Sequence, residues 1–449
     1  MSWPAYAEYA ESGIDWLTQV PASWRIERMR NIFTKMQRPY GEDAETVTAF
    51  RDGTVTRRSN RRTDGFTEAD KYIGYQGIEP GDLAIHAMDG FAGAIGVSDS
   101  QGKCSPVVSV CRASGLEDPH YFAHILRHIA RSGFLTAIAK GIRERSTDFR
   151  WADARDICVP CPPIEEQQAI AVFLDRETAK IDALIVKQEQ LIATLREDRA
   201  ATITQAVMKG LDPNAAMKDS GTSWLGSIPE DWTACRLGRL CRSVSDGPHF
   251  SPAYVDESEG VMFLSARNIK VDGWSLADSK FISEDDYVEF SRRVVPELGD
   301  VLYTKGGTTG IARAVDIEGR FQVWVHVAVL KLIRGTVTPE YLAYALNSAP
   351  CYEQSQLYTR GATNKDLGLS RMVRIQLALP PVQEQQEIVD FLDDRCANVD
   401  ALIVKSTEVI GTLREYRSAL ITDAVTGKID VRGAVVEEAN ILVAHGGMK

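Results

Sequence analysis

The second half of this chain repeats the first half, and the match is closest over two long stretches. An offset of 218 aligns residues 162–207 with residues 380–425, and 27 of these 46 positions are identical. A shorter motif, SGIDWLTQVPASW from Ser12, returns as SGTSWLGSIPEDW from Ser220. About 140 residues of low similarity separate each short motif from the long stretch that follows it. Because related copies adopt related folds, the repeat predicts one frame built twice around two divergent inserts.

The two long stretches are predicted to be helices that pack on each other as a coiled coil. No proline occurs between Pro163 and Pro213, and apolar residues recur at alternating steps of three and four. Antiparallel packing would relate the two halves by a pseudo-two-fold axis. The alternative is that each helix packs separately onto its own domain. The predicted helix-pairing residues are Ile170, Leu174, Ile181, Leu184, Leu191 and Leu195, then Ile388, Leu392, Val399, Leu402, Val409 and Leu413.

The apolar stripe is wider than one column, and a polar residue interrupts it at the same step in both copies. Ile185, Ile192, Ile403 and Ile410 each stand one residue after a predicted pairing residue and widen the stripe by one position. The polar interruptions are Gln188 and Ser406. A polar residue in a coiled-coil seam is typical of a position that fixes register.

The inserts are predicted to share an α+β fold. Short runs typical of strands, GDLAIHAM from Gly81 and SPVVSVCRA from Ser105, precede a helix-like run in the first insert. The second insert repeats this order with GDVLYTK, VWVHVAVLKLI and EYLAYALNS. The predicted domains are residues 1–24 (motif near the helical frame), 25–160 (first insert), 161–210 (first long helix), 211–232 (linker with motif), 233–379 (second insert), 380–430 (second long helix) and 431–449 (tail).

Charge is distributed unevenly between the frame and the inserts. The chain carries a net charge of −11, yet residues 25–160 hold 20 basic and 18 acidic residues, and residues 233–379 hold 17 of each. The acidity lies in the segments 161–232 and 380–449, each with 7 basic and 12 acidic residues. Local basic clusters on neutral inserts suffice for a DNA-binding surface.

Basic and polar clusters in both inserts are the candidate DNA contacts. Arginine clamps phosphates or pairs with guanine, and asparagine can read adenine. A solvated charged hairpin is the alternative for the first cluster. The GGTTG run after Lys305 lacks the GxxxxGK[ST] pattern, which favours a turn near a DNA backbone over a nucleotide loop. The candidates are Arg51, Arg57, Arg58, Asn60, Arg61, Arg62, Lys140, Arg143, Arg145, His249, Arg267, Asn268, Lys270, Lys305, Thr308, Thr309, Arg360, Asn364 and Lys365.

Two patterns resemble metal sites, and the internal repeat argues against both. Cys158 and Cys161 form a CxxC pair, but the second copy reads IQLALPP at this place, so buried strand cysteines are predicted. His120, His124 and His128 recur every four residues, but their equivalents in the second insert are Glu, Tyr and Ser. A solvated helix face is therefore predicted for these histidines, with no metal.

The repeated features resemble the specificity subunit of type I restriction-modification systems. The resemblance rests on the motifs at 16–24 and 224–232, on PPIEEQQAIAVFLDRETAKIDALI and PPVQEQQEIVDFLDDRCANVDALI, and on GDLAIHAMDGFAGAIGVS and GDVLYTKGGTTGIARAV. It covers nearly the whole chain. It implies two target-recognition domains that each read half of a bipartite site in double-stranded DNA, held apart by the paired helices.

The resemblance also implies partners and places the catalysis in them. Two modification (methyltransferase) subunits would dock on the helices, and ATP-dependent restriction subunits would join the complex. S-adenosylmethionine, ATP and Mg²⁺ would belong to these partners, with no cofactor and no catalytic residue in this chain. No secretory signal or membrane segment is evident, so a cytoplasmic location is expected. The alternatives are the recognition part of a self-contained methyltransferase-nuclease, which would need several hundred further residues, and a scaffold that does not bind DNA.

Overall fold

The computed structural model describes residues 3–61, 72–132, 149–362 and 365–433. Two helices are far longer than the others in this part of the chain, one of 46 residues and one of 44. The α-helices of the described residues are α1 (Met29–Ile32), α2 (Pro119–Arg131), α3 (Trp151–Ala154), α4 (Ile164–Lys209), α5 (Glu284–Ser291), α6 (Pro339–Asn347), α7 (Ala349–Tyr358), α8 (Leu369–Met372) and α9 (Val382–Val425). Short 3₁₀ helices cover Arg58–Asn60, Gly90–Ala92, Leu237–Arg239, Glu257–Glu259 and Ala266–Asn268.

The chain divides into two compact units, and each unit takes half of each long helix. The first unit comprises Met1–Lys187 and Val409–Lys449, and the second comprises Gln188–Glu408. The first unit thus contains the start of α4 and the end of α9, and the second contains the remaining halves. This exchange of ends means that the two helices run antiparallel.

The first unit is built around a four-stranded antiparallel sheet in the order β4-β11-β8-β9. The unit also contains four two-stranded sheets, β1-β2, β3-β12, β5-β6 and β7-β10. Its strands are β1 (Tyr9–Ile14), β2 (Leu17–Pro21), β3 (Arg25–Arg28), β4 (Phe33–Lys35), β5 (Val47–Ala49), β6 (Val55–Arg57), β7 (Gln76–Ile78), β8 (Leu83–His86), β9 (Ile95–Val97), β10 (Gly102–Cys104), β11 (Val108–Ala113) and β12 (Cys158–Cys161).

The second unit repeats this central sheet in the order β16-β23-β20-β21. A second four-stranded sheet, β17-β19-β18-β22, stands beside it, and the pairs β13-β14 and β15-β24 complete the unit. Its strands are β13 (Met217–Asp219), β14 (Ser227–Pro229), β15 (Thr233–Arg236), β16 (Cys241–Asp246), β17 (Tyr254–Val255), β18 (Val261–Leu264), β19 (Lys280–Ile282), β20 (Val301–Thr304), β21 (Ala312–Ala314), β22 (Phe321–Val323), β23 (Val327–Leu332) and β24 (Gln376–Leu379).

The two central sheets share their register, which confirms the predicted common α+β fold. Val110 pairs with Ala84 in the first unit, and Val329 pairs with Leu302 in the second. The central strands β11 and β23 each begin with four buried residues, as expected of strands covered on both faces. The pairs β5-β6 and β7-β10 in one unit and the sheet β17-β19-β18-β22 in the other are the parts that differ.

A buried glutamine explains why the repeated PP-x-x-EQQ motif begins each long helix. Gln167 is fully buried, donates to the carbonyl of Pro162 at 2.9 Å and accepts from the backbone N–H of Asp118 at 2.9 Å. Gln385 makes the matching bonds to Pro380 and Thr338, both at 2.9 Å. Each glutamine thereby ties the first turn of a long helix to the N-cap of the domain helix, α2 or α6.

The tryptophan motifs are fixed to the same helical turns. The indole N–H of Trp24 donates to Glu166 at 2.8 Å, and that of Trp232 donates to Glu384 at 2.9 Å. Tyr6 also donates to Glu166. The N-terminal segment therefore packs against the helical frame in the first unit.

The long helices pair along a seam that lies one residue later than part of the predicted stripe. Ile170, Leu174, Ile181, Ile388, Leu392 and Val399 are buried and Leu195 and Leu413 are half-buried, as predicted. The prediction is wrong for the exposed Leu184, Leu191, Leu402 and Val409. Ile185, Ile192, Ile403 and Ile410, with Gln188 and Ser406, occupy the seam instead. Two adjacent apolar columns satisfy the same periodicity, and only the position of the partner helix selects one of them.

A repeated ion pair joins the helices in both units and confirms the antiparallel coiled coil. Arg417 of α9 donates to both carboxylate oxygens of Asp182 in α4, at 2.9 and 3.1 Å. Arg199 of α4 lies 3.4 Å from Asp400 of α9. Arg199 and Arg417, like Asp182 and Asp400, are equivalent under the 218-residue repeat. The same contact thus forms twice with the two helices exchanged.

Candidate nucleic-acid interface

The arginine cluster of the first unit lies on the β5-β6 hairpin and the 3₁₀ turn that follows it. The exposed Arg51 donates to Asp89 at 2.7 Å, and Arg61 pairs with Asp52 and stacks 4.5 Å from the centre of the Phe50 ring. These ion pairs orient the guanidinium groups without burying them. The hairpin is therefore a charged surface.

The neighbouring candidates on this turn are also held by hydrogen bonds. Arg57 donates to Glu45 at 3.4 Å, Arg58 donates to Thr48 at 2.9 Å, and Asn60 donates to Thr56 at 2.8 Å. Five predicted contacts lie outside the described residues: Arg62, Lys140, Arg143, Arg145 and Asn364.

Three loops of the second unit converge around one buried lysine. Lys305, at the end of β20, lies 3.2 Å from Asp246 at the end of β16 and 3.1 Å from Asp366 in the loop after α7. The backbone N–H of Gly307 donates to Lys365 at 3.3 Å, which joins the same two loops. Four of the predicted contacts on these loops are exposed, namely His249, Thr308, Arg360 and Lys365. These four predicted contacts therefore share one surface.

Burial argues against direct contact by three other candidates. Lys305 and Thr309 are 6% and 3% exposed, and Thr309 bonds to Gln356 and Thr359 within its own unit. Asn268 is 4% exposed, and its side-chain amide accepts a hydrogen bond from the backbone of Ser265 and donates one to the backbone of Ser275. The local sequence could not show that these side chains bond within their own loops. Their partners are either far away in the sequence or backbone groups, which leave no mark in the pattern of residue types.

Arg267 and Lys270 are exposed. Arg267 lines a separate cavity of about 520 Å³ together with Tyr254, Lys280 and Trp324. This cavity belongs to the sheet β17-β19-β18-β22, which has no counterpart in the described residues of the first unit.

Sequence reasoning missed Arg293 at the end of α5. Its guanidinium donates to Asp246 and lies 3.4 Å from His249. Burial raises the pKa of Asp246, but the hydrogen bond from Arg293 and the charge of Lys305 outweigh it and hold that pKa below its ordinary value. Arg293 is half-exposed and extends the basic surface. The ArgArg pair at 292–293 was the available signal.

The prediction of a solvated histidine face on α2 is wrong for two of the three residues. His120 is exposed, but His124 is buried and bonds to Asp175 at 2.9 Å, and the half-buried His128 bonds to Thr422 at 3.1 Å. Burial lowers the pKa of His124 to about 4, although its bond to Asp175 acts in the opposite direction. The side chains face the long helices because α2 packs on them.

The second unit places a tyrosine where His124 stands. Tyr344 donates to Asp393 at 2.6 Å, and both residues are repeat equivalents of His124 and Asp175. Each pair therefore links a domain helix to a long helix by one hydrogen bond. No cluster of potential metal ligands occurs among the described residues.

The frame described above matches proteins of one class. Residues 229–410 match the family model of the type I restriction modification DNA specificity domain. This range covers the second insert and much of α9, and the first half of the chain repeats both. The chain is 25% identical over 326 residues to the putative type I restriction enzyme MjaX specificity subunit of Methanocaldococcus jannaschii, covering 70% of this chain and 69% of that protein.

The chain is therefore similar to the type I restriction-modification specificity subunits. It is also 23% identical over 370 residues to the type I restriction enzyme EcoKI specificity subunit of Escherichia coli strain K12, covering 79% of this chain and 76% of that protein. A solved structure concerned with complex assembly and conformational transition of the type I restriction-modification system shares the fold, with a TM-score of 0.70 and 17% identity over 91% of this chain and 99% of that one.

Similarity to these proteins supports a role in DNA recognition. Among the described residues, no helix combines the length and apolar character needed to cross a membrane.

Proposed function

We propose that this chain is a specificity subunit that reads a bipartite site in double-stranded DNA, with one half-site for each compact unit. The observation that carries this proposal is one central sheet built twice with different strands added beside it. A shared scaffold with divergent additions suits two readers of unlike sequences. The charged hairpin of the first unit and the convergent loops of the second supply the donors that phosphates and base edges require.

The long helices are proposed to set the distance between half-sites. A straight helix of 46 residues measures about 69 Å. Methyltransferase subunits are proposed to dock on these helices, and restriction subunits to join the complex. Catalysis, with S-adenosylmethionine, ATP and Mg²⁺, would then reside in the partners, and this chain would be non-catalytic.

Exposed apolar residues on the helices support the docking proposal. Leu184 and Leu191 are 47% and 44% exposed, and their repeat equivalents Leu402 and Val409 are 51% and 38% exposed. A column of large apolar side chains left outside a seam is typical of a surface that another protein covers. We expect Leu184→Asp with Leu402→Asp to abolish co-purification of methyltransferase subunits. The control is Ala183→Asp with Ala401→Asp, at neighbouring exposed positions, which should retain them.

Methylome sequencing of the host tests the proposed DNA recognition. Deletion of the gene should remove one methylated motif that consists of two short half-sites and an unspecified spacer. Replacing residues 233–379 with the insert of a relative should change one half-site and preserve the other. Methylation unaltered by the deletion, or loss of both half-sites in a folded chimera, contradicts the proposal.

A further inference from the structure

The first unit contains a cavity of about 280 Å³ whose wall carries three arginines. Arg127 and Arg131 reach it from α2, and Arg417 reaches it from α9. The tip of the β5-β6 hairpin, at Asp52–Thr54, and α4 complete the wall. None of these arginines is among the predicted DNA contacts.

Two glycines, Gly53 in the β5-β6 hairpin and Gly93 between β8 and β9, leave the space that two of the guanidinium groups fill. A Cβ at Gly53 would lie 1.6 Å from Nη1 of Arg127, and a Cβ at Gly93 would lie 3.3 Å from Nη2 of Arg131. Nη2 of Arg127 also lies 2.9 Å from Nδ1 of His124. The arginines are therefore packed at fixed positions in the wall, which lowers the entropy that a ligand would have to remove.

The carboxylates of the cavity already have partners. Asp182 accepts both bonds from Arg417, Asp175 bonds to His124, and Asp52 pairs with Arg61. Within the described ranges, no carboxylate forms an ion pair with Arg127 or Arg131. Burial, together with the charges of Arg131 and Arg417, lowers the pKa of Arg127 to about 10, although Asp175 acts in the opposite direction. The positive charges thus repel one another across the cavity, and an anion would relieve this repulsion.

The second unit supplies an internal comparison. Its equivalent cavity, of about 380 Å³, is lined by Tyr344, Asn347, Asp393 and Asp400. Asn347 stands at the repeat position of Arg127, and the helix of the second unit ends at Asn347, before the position that would match Arg131. The helix frame is the same in both units, so the fold itself does not require the two arginines.

We propose that the cavity of the first unit binds a phosphate group, either of a free phosphate anion or of the DNA backbone. The fork of Arg131 and that of Arg127 match the oxygens of a tetrahedral oxyanion. Arg417, held by Asp182, adds positive potential at the same wall. This site is distinct from the proposed base-reading surfaces of the inserts, because its wall is formed partly by the first insert and partly by the two long helices.

Thermal unfolding of the full chain tests the site, with sodium phosphate compared against sodium chloride at equal ionic strength. Phosphate should raise the Tm of the wild type above its value in chloride. Arg131→Gln should weaken the apparent phosphate affinity at least tenfold, and Arg131→Lys should weaken it less. The matched control is Arg313→Gln, in the equivalent cavity of the second unit, which should leave the phosphate response unchanged.

Binding of a short duplex carrying the methylated motif identifies the source of the phosphate. If the backbone occupies the site, phosphate competes with the duplex and Arg131→Gln lowers the salt slope of DNA binding by about 1. If a free anion occupies it, the duplex does not displace phosphate and the slope is unchanged. Equal responses of wild type, Arg131→Gln and Arg131→Lys to both phosphate and duplex would overturn the proposal. Loss of duplex binding by the wild type would instead contradict DNA recognition.

Discussion

At the scale of single residues, the repeat assigns different roles to adjacent side chains. Gln385 is buried and bonds to three backbone groups, at Pro380, Thr336 and Thr338, whereas its neighbour Gln386 is exposed and bonds only to Asp390. The sequence shows two consecutive glutamines in both copies and no difference between them. The direction in which each side chain leaves the helix decides which one is structural.

Gln385→Ala should destabilise the protein strongly. The substitution leaves buried backbone donors and acceptors without partners, each of which costs about 1–3 kcal/mol. We expect the free energy of unfolding, measured by urea denaturation, to fall by about 2–3 kcal/mol. Gln386→Ala should change it by less than about 0.5 kcal/mol. Equal effects of the two substitutions would show that the first-turn bonds do not stabilise the frame.

His124 should make stability depend on pH in mildly acidic solution. The unfolded chain binds a proton near the ordinary histidine pKa of about 6.5, whereas burial lowers the folded pKa of His124 to about 4. Between these values the unfolded state binds more protons, so stability falls as the pH falls, by up to about 1.4 kcal/mol per pH unit. Comparing the wild type with His124→Gln isolates this contribution, because the other histidines are the same in both proteins.

Urea denaturation at several pH values between 7 and 3 measures this contribution. His124→Gln keeps a side chain able to donate to Asp175 and should show a shallower decline than the wild type. The two curves should run parallel below pH 4, where both forms of the histidine are protonated. Parallel curves from pH 6.5 to 4 would mean that His124 titrates alike in both states.

The hairpin arginines test the predicted DNA surface residue by residue. Arg61 is exposed and oriented by Asp52 and Phe50, so Arg61→Ala should weaken duplex binding. A phosphate contact would lower the salt slope by about 1, and a base contact would cost about 1–3 kcal/mol at one base pair. Arg30→Ala, which removes an exposed arginine paired with Asp156, is the control. If both variants bind as the wild type does, the hairpin is a solvated surface.

At the scale of elements, the seam of the long helices separates two adjacent apolar columns. Ile410 is 6% exposed, whereas Val409 is 38% exposed. Ile410→Ala should lower the free energy of unfolding by about 2–4 kcal/mol, because it removes buried methyl groups and leaves a cavity. Val409→Ala should lower it by less than about 1 kcal/mol. Urea denaturation of both variants checks the seam, and the opposite order would restore the stripe that the sequence alone suggested.

At the scale of the whole molecule, the helices are the proposed ruler between half-sites. Removing Ile185–Leu191 and Ile403–Val409 deletes one heptad from each helix and keeps the seam in phase. Seven residues shorten a helix by about 10.5 Å, or about 3 base pairs at roughly 3.4 Å each. The twist of DNA would also turn the half-sites by about a third of a turn. We therefore expect loss of the original site and weak binding, at best, to a shortened one.

Selection from DNA with random spacers measures this effect. The wild type should select one spacer length. A folded double deletion that selects the same length would show that the helices do not set the spacing. A deletion in α4 alone is the control, because it should misalign the seam and lower stability without defining a new spacer.

The sequence by itself determined the two-fold repeat, the long antiparallel helices and the common α+β scaffold, because these rest on periodicity and on matches between the copies. The repeated proline-glutamine motif also carried the resemblance to type I restriction-modification specificity subunits. Tertiary structure alone decided which apolar column forms the seam, that His124 is buried, and that Lys305, Thr309 and Asn268 serve their own loops. These outcomes depend on which distant segment packs against each side chain, and a local pattern carries no information about that partner.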